Sequence, residues 1–198
     1  KAIHKILADG KPVRSMKLPF ALTKPFVLLT DKPVLYLGNM DEGGADARRK
    51  AEALLADIAK SEGAGSLVLC GKIEAEIAQL AGQDQKDFLK EMELEKSGLE
   101  RLIEAAYKLL GLITFFTAGP KESHAWPIVQ GTLAPQAAGK IHSDIEAGFI
   151  RADIYRFEDI NTLGSEAVVR EKGLLRSEGK TYVMKDGDVV YFHFQKPR

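Results

Sequence analysis

Cysteine is almost missing from this sequence: Cys70 is the single one among 198 residues, so no internal disulfide can form and a small disulfide-stapled fold is excluded. One thiol fits a reducing cytosol. An excess of one charge is missing too, since Lys and Arg number 28, Asp and Glu 28, and the formal net charge is zero. A chain held on nucleic acid mainly by neutralising phosphates carries a strong basic surplus; that class is excluded, while a local basic face is not. Long apolar runs are absent as well. The longest, Leu109 to Phe116, is far short of the ~20 residues a membrane span requires. The opening residues Lys-Ala-Ile-His-Lys-Ile-Leu-Ala have no signal-peptide core, so a cytoplasmic location without membrane contact is expected. His4, His124, His142 and His193 are too scattered for a zinc motif, and no metal site is expected. No nucleophile elbow occurs, and His142-Ser143-Asp144 reads as a turn and helix cap. Gly173 to Thr181 imitates a phosphate-binding P-loop, but five residues separate its glycines where four are needed, and a strand-like segment follows. Without the helix N-terminus that aims N–H groups at phosphate, it is no P-loop.

What is present is a globular composition, 45% apolar and 28% charged, long enough for one large domain or two small ones. Charge is unevenly spread. Residues 1–50 hold ten basic and five acidic side chains, residues 51–112 seven and twelve. Such a contrast implies different surroundings for each part, or simply two solvated faces.

Lys1 to Leu7 reads as the end of a helix stopped by Asp9-Gly10, and Pro12, Pro19, Pro25 and Pro33 forbid continuous helix after it. Val34–Leu37 and Leu67–Cys70 are continuous apolar runs, the pattern of strands buried on both faces. Between them Asp46 caps a helix to about Ser61, with Ala51, Leu54, Leu55 and Ile58 at helical spacing. Strand, helix, strand with short links predicts a βαβ unit and a parallel sheet. Helical patterns follow at 73–80 and 84–94. Ser97 and Glu100 have the capping-box spacing before a helix whose Leu99, Leu102, Ile103, Ala106, Leu109 and Leu110 share a face. After Gly111 the pattern becomes mixed α+β, with strands at 112–117, 125–129, 149–155, 181–184 and 189–194, and short helices at 134–141 and 165–172. Lys185-Asp-Gly-Asp188 reads as the turn of a hairpin joining the last two strands.

Two loops are candidates for chemistry. Asn39-Met40-Asp41-Glu42 follows the first strand, at the end where open α/β sheets bind ligands. An amide that donates and accepts, with a carboxylate three positions on, can read a purine edge or brace the loop that does; a plain turn with a helix-starting charge is the alternative. Cys70-Gly71-Lys72 follows the second strand. There Gly71 allows close approach and the Lys72 stem can lie along a planar base, whereas Cys70 reads as a small buried hydrophobe.

These stretches together resemble the YchF-type (Obg-like) P-loop ATPases. The resemblance is carried by Lys32 to Glu42, Gly98 to Tyr107, Leu110 to Gly119 and Gly131 to Gly139, and continues through Ile141–Asp144, Gly148–Ala152 and Asp186–Asp188. It covers nearly the whole chain. It implies an α/β fold class: residues 34–111 as the C-terminal half of a nucleotide-binding domain and residues 112–198 as a β-grasp (TGS) domain. Residues 1–33 are then the end of a helical arm and its return. In this family the Asn39–Glu42 loop replaces the Asn-Lys-x-Asp of GTPases and accompanies preference for ATP. Asn39, Met40, Glu42, Cys70, Gly71 and Lys72 are therefore the expected base-binding residues, Cys70 and Gly71 departing from the family's usual Ser-Ala. The family's P-loop and magnesium ligands precede the arm and do not occur here, so the chain is expected to be part of a longer protein and not to hydrolyse ATP by itself. ATP with magnesium is the cofactor implied for the whole.

A ribosome, tRNA or protein partner is implied for the TGS domain, with Lys140, Arg151, Arg156, Arg170, Lys172 and Arg176 as candidate contacts. Two alternatives stand beside this reading. One is a stand-alone β-grasp binding module, the other specificity for GTP in place of ATP.

Overall fold

Pro12, Pro19, Pro25 and Pro33 each lack the N–H that a helix interior uses, so the first segment folds in short pieces. The structure is a computed structural model and describes residues 1–119 and 122–195. Helix α1 (Ala2–Ala8) stops before Gly10, whose φ is +70°. Single helical turns follow at Val13–Met16, α2 (Phe20–Thr23), Lys24–Phe26 and Leu29–Asp31. Buried Val13 and Thr23 anchor the segment. Glu62 receives hydrogen bonds from Arg14 and from the Tyr36 hydroxyl, both at 2.7 Å. The chain divides into two compact units, Lys1–Leu110 and Gly111–Arg198.

In the first unit, β1 (Leu35–Asn39), α3 (Ala45–Glu62) and β2 (Gly65–Leu69) form a βαβ crossover with the strands parallel, Leu35 opposite Gly65 and Asn39 opposite Leu69. Gly63 ends α3 in the left-handed conformation, φ +67°. Gly44 and not Asp46 is the N-cap of α3; Asp46 sits in its first turn, where a negative charge meets the helix dipole. Helices α4 (Gly71–Ile77), α5 (Gly82–Glu91) and α6 (Gly98–Leu110) complete the unit.

At the start of α6 the capping box forms. The Ser97 N–H donates to Glu100 Oε2 at 2.9 Å and the Glu100 N–H to Ser97 Oγ at 3.2 Å. The next two N–H groups, of Gly98 and Leu99, donate to the Glu74 carboxylate at 2.7 and 3.1 Å. Glu74 thus takes up donors that a helix start otherwise leaves open.

Two sequence expectations need correction here. Strand β1 is not buried on both faces: Leu37 and Asn39 are exposed, because among the described residues this sheet has only two strands. Nor does each helix keep its apolar residues on one buried face. Helices α3 and α6 pack on the strand pair, yet Leu54 and Ile58 of α3 and Leu99, Ile103 and Leu110 of α6 point to solvent. Ala59 of α3 with Leu67, Val68, Ile73 and Ile77 makes up the core.

The second unit comprises β3 (Leu112–Ala118), β4 (Ser123–Val129), α7 (Ala134–Ile141), α8 (Ser143–Ala147), β5 (Phe149–Arg156), α9 (Phe157–Leu163), α10 (Glu166–Glu171), β6 (Arg176–Glu178) and β7 (Asp188–Phe194). Sheet order is β4-β3-β7-β5-β6, antiparallel throughout except for the central β3–β7 pair. This is the β-grasp arrangement. Strand alternation sends Phe115, Ile128, Ile154, Val190 and Phe192 to one face, where Ala134, Ala137 and Ala138 let α7 lie close. Tyr155 and Val189 on the opposite face meet Val169 of α10 and Ile160 and Leu163 of α9.

The hairpin expected at its end does not form as such. The turn is there, with Gly187 at φ +76° and the Asp188 N–H on Lys185 O. Residues 181–184, however, are no strand, because both edges of β7 are already occupied by β3 and β5. They fasten instead to the start of α7: Tyr182 O accepts from the Ala134 N–H, and the Met184 N–H donates to Thr132 O. The stretch that imitates a P-loop runs through β6 into a turn, with no helix after it.

Candidate functional site

Parallel pairing in register sets the carboxyl ends of β1 and β2 side by side, and both candidate loops leave from there. Three bonds tie them together. Asn39 Oδ1 accepts the Gly71 N–H at 2.9 Å, the Met40 N–H donates to Leu69 O at 3.0 Å, and Lys72 Nζ lies 2.7 Å from Glu42 Oε1. Between the loops opens a cavity of about 350 Å³ lined by Asn39, Met40, Asp41, Glu42, Cys70 and Lys72, within the size range of small-molecule sites. A neighbouring cavity of about 280 Å³ shares Met40 and Cys70 and reaches Arg48, Glu74 and Met92.

The chemistry of these groups is now narrower than the sequence left it. Asn39 spends its carbonyl on bracing the second loop and keeps its NH2 to donate. Glu42 faces the Lys72 ammonium, and the carboxylate's hydrogen bond and negative charge hold the Lys72 pKa above its usual value. Both side chains are exposed, so the pair adds little stability and acts by position. The Met40 N–H is engaged, which leaves the loop's carbonyls and the Lys72 stem as the surfaces a planar ring would meet. Cys70 is a free, half-buried thiol.

The six candidate basic residues of the second unit are spread over α7, β5, α10 and β6. Lys140 lies on α7. Arg156 is 3.5 Å from the buried Asp188 and 3.3 Å from Glu158, and Arg176 packs over the Tyr182 ring at 5.8 Å. Lys172 is the exposed C-cap of α10. Arg151 and Arg170 line a common hollow of about 410 Å³ together with Asp153, Tyr191 and His193. Sequence reasoning missed those three. Their signal was the alternation of Tyr191 and His193 along β7, opposite Asp153 and Arg151 of β5.

His193 Nε2 is 2.7 Å from Asp153 Oδ2. Burial would raise the Asp153 pKa, but hydrogen bonds with His193 and Ser177 and the charges of His193 and Arg151 outweigh it and hold the carboxyl below its ordinary value. Among the described residues no group of three or more His, Cys, Asp or Glu side chains is placed to hold a metal ion, and no helix is long and apolar enough to cross a membrane.

A parallel βαβ layer with two loops closed on each other at its carboxyl edge, followed by a β-grasp unit, defines a two-unit protein of the α/β class. Comparisons with known proteins agree. The family YchF-GTPase_C, described as a protein of unknown function (DUF933), matches residues 112–195. Ribosome-binding ATPase YchF of Bacillus subtilis (strain 168) is 45% identical over 189 residues, 93% of this chain and 52% of that protein. The Escherichia coli O157:H7 protein of the same name is 47% identical over 84% of this chain and 46% of its own length. Obg-like ATPase 1 of Gallus gallus is 40% identical over 87% of this chain and 44% of its own. The solved Schizosaccharomyces pombe YchF GTPase superposes with a TM-score of 0.82 at 31% identity, over 97% of this chain and 52% of that one. The chain is similar to YchF-type (Obg-like) proteins, matches their C-terminal family model over residues 112–195, and spans about half the length of the curated relatives it matches.

Proposed function

We propose that this chain is the nucleobase-reading and ribosome-docking part of an Obg-like ATPase. The reading rests on one observation above the others: two loops from adjacent parallel strand ends are cross-linked by Asn39–Gly71 and Glu42–Lys72 around a cavity of ligand size. Such bracing fixes the geometry of a base pocket before the ligand arrives, which lowers the ordering cost of binding. Asn39, Met40, Glu42, Cys70, Gly71 and Lys72 form its walls. Adenine is favoured over guanine because Glu42 is turned to Lys72 and no longer offers guanine's N1–H and amino group a free carboxylate clamp. Tests compare both, as the solved Schizosaccharomyces pombe relative is called a GTPase.

The apolar stripes Leu54/Ile58 and Leu99/Ile103/Leu110, with exposed Leu37 on β1, support a half-domain reading, since such surface is what further strands and helices of a nucleotide-binding domain would cover. Phosphates and magnesium belong, on this reading, to the portion of the relatives that this chain does not span. Phosphoryl transfer depends on positioning by those parts, so ATP with magnesium is the cofactor of the longer protein and only its base meets these residues. Residues 1–33 are the return of a helical arm, and the second unit is a TGS domain. The relatives' name, ribosome-binding ATPase, supports a ribosomal partner for this unit and a cytoplasmic setting.

Calorimetric titration with ATP and GTP tests the base pocket. A full-length relative binds ATP more tightly than GTP and weakens when the residues aligned with Asn39 and Lys72 become alanine. The present chain binds ATP far more weakly and does not turn it over. Equal affinity, or steady turnover by the chain, overturns the reading. Co-sedimentation with ribosomes tests docking: deletion of Leu112–Arg198 abolishes it, and retention after deletion refutes it.

A further inference from the structure

Beside the base loops, the ends of β1 and β2, the starts of α3, α4 and α6 and the turn after α5 converge on the second cavity of the first unit, about 280 Å³ in volume. Its frame is fixed by short contacts. Glu74 accepts the Gly98 and Leu99 N–H groups and so pins α4 to α6, closely enough that a Cβ on Gly98 would meet Glu74 Oε1 at 2.6 Å. The turn after α5 is held by the Leu94 N–H on Leu89 O at 2.8 Å, with Glu93 at φ +53°, a left-handed conformation that few residues other than glycine adopt. That turn brings Met92 and Leu94 into the cavity wall. A wall set in place beforehand keeps the ordering cost of a ligand low.

The lining divides by chemistry into three kinds of group. Met40, Val68, Leu69, Ile73 and Met92 supply an apolar bed, and the thioether sulfurs of the two methionines favour an aromatic ring. One cation is unspent: Arg48 is half-buried, and among the described residues its guanidinium has no hydrogen bond or ion pair. Arg101, by contrast, donates to Glu52 at 2.9 Å, and Glu74 is taken up by the start of α6. Asp41, Glu91 and Glu93 are exposed parts of the lining and, among the described residues, their carboxylates are unpaired as well. A plain hydrocarbon would leave all of these charges unused. A simple anion would face three carboxylates, and a simple cation would face Arg48. A free amino acid with an aromatic side chain answers each group: its ring meets the apolar bed, its carboxylate the Arg48 fork and its ammonium the acidic residues. The volume, at the low end of small-molecule sites, suits a ligand of that size.

We propose that this cavity is a second ligand site, for a free aromatic amino acid, beside the base pocket and sharing Met40, Asp41 and Cys70 with it. The site goes beyond the base-pocket reading and does not depend on it, because Arg48, Ile73 and Met92 line this cavity and not the other.

The methionines make the test direct, since the chain has four and two of them line the cavity. In methyl NMR of the whole 198-residue chain, L-tryptophan moves the Met40 and Met92 signals and leaves those of Met16 and Met184 in place. Indole-3-propionate, which lacks the ammonium, and tryptamine, which lacks the carboxylate, each bind about tenfold more weakly. Arg48→Gln weakens L-tryptophan about tenfold but not tryptamine, a split that a merely structural role of Arg48 would not produce. Because Arg48 has no partner to lose, the variant stays folded, which circular dichroism checks. Arg49→Gln, on an exposed neighbour tied to Asp46, is the control that leaves affinity unchanged. Shifts spread over all four methionines, no shift at Met40 and Met92, or equal binding of L-tryptophan and tryptamine overturns the proposal. Lys72→Ala separates the two cavities, since Lys72 lines only the base pocket of the two. L-tryptophan affinity that falls in Lys72→Ala and holds in Arg48→Gln puts the amino acid in the base pocket and also overturns the proposal. Methionine shifts that persist when the nucleotide titrations fail sink the base reading alone.

Discussion

Asp188 opens β7 with its side chain fully buried, and Oδ2 accepts two hydrogen bonds, from the Tyr182 hydroxyl at 2.9 Å and from the Lys185 N–H at 2.8 Å. Oδ1 has the Arg156 guanidinium at 3.5 Å, close enough for attraction but without a hydrogen bond. One carboxylate therefore fixes the turn before β7, the segment that replaces the expected strand at 181–184, and the end of β5. Hydrogen bonds to a charged group contribute about 1.5–3 kcal/mol each. In Asp188→Ala both are lost, but Lys185 is exposed and Tyr182 half-buried, so water recovers part of the deficit. The net cost is about 3 kcal/mol. For a unit of this size each kcal/mol lowers Tm by about 4–8 °C, which gives a fall of about 12–24 °C. The assay is built in: the single tryptophan, Trp126, lies on β4, so its emission reports this unit alone. Tyr182→Phe removes one donor and leaves the other, costing about 1 kcal/mol. Combined with Asp188→Ala it should add almost nothing, because the bond it deletes is already gone. A shift below about 4 °C for Asp188→Ala, or full additivity of the pair, refutes the view that this carboxylate organises the turn.

Three further outcomes follow from the geometry. Glu74→Ala frees the Gly98 and Leu99 N–H groups at the start of α6 and should cost about 1–2 kcal/mol in urea unfolding followed by circular dichroism, with Glu74→Gln recovering part of it. A Cβ at Gly148 would stand 1.9 Å from the Gln195 carbonyl oxygen, a backbone atom that cannot step aside, so Gly148→Ala should lower the stability seen by Trp126 by about 1–3 kcal/mol; an unchanged midpoint would contradict the close approach. Asp153 has its pKa lowered by the fold, so its contribution is present above the unfolded carboxyl value of about 3.9 and is lost as pH falls through the lower folded value. Urea stability should drop between pH 5 and pH 3, and Asp153→Asn should flatten that part of the profile.

The sequence was most readable where one local rule acts alone. The βαβ unit, the capping box at Ser97 and Glu100, and α7 between Leu133 and His142 each follow from spacing that nothing elsewhere in the fold overrides. Reading failed where a segment's fate depends on which edges others have taken. Thr181–Met184 has strand composition, but the strand it would pair with is flanked on both sides. Leu54 and Leu55 have the same chemistry, and only the position of β2 decides that the first faces solvent. At the base site the sequence pointed to both loops but not to their cross-links. The Asn39–Gly71 and Glu42–Lys72 contacts span about 30 residues and exist only because two strands pair in register.

The two units should differ in stability, and the reason lies in their sheets. A two-stranded sheet with solvent on part of its surface is marginal by itself, and the first unit leaves Leu37, Leu54, Ile58, Leu99, Ile103 and Leu110 exposed. At about 25 cal/mol per Å², every apolar side chain left in water forgoes roughly 1.5–3 kcal/mol that burial would supply. The second unit has five strands, a continuous core through Phe115, Ile154 and Phe192, and α7 pressed on it by three alanines. Hydrogen exchange followed by mass spectrometry should therefore find β1, β2 and α3 exchanging well before β5 and β7, whose mutual hydrogen bonds lie at the centre of the larger sheet. In rising urea the helical signal should begin to fall while Trp126 emission is still native. A single coincident transition, or protection greater in β1 than in β7, would mean that the exposed apolar stripes of the first unit are satisfied within this chain, and the half-domain reading built on them would fall with it.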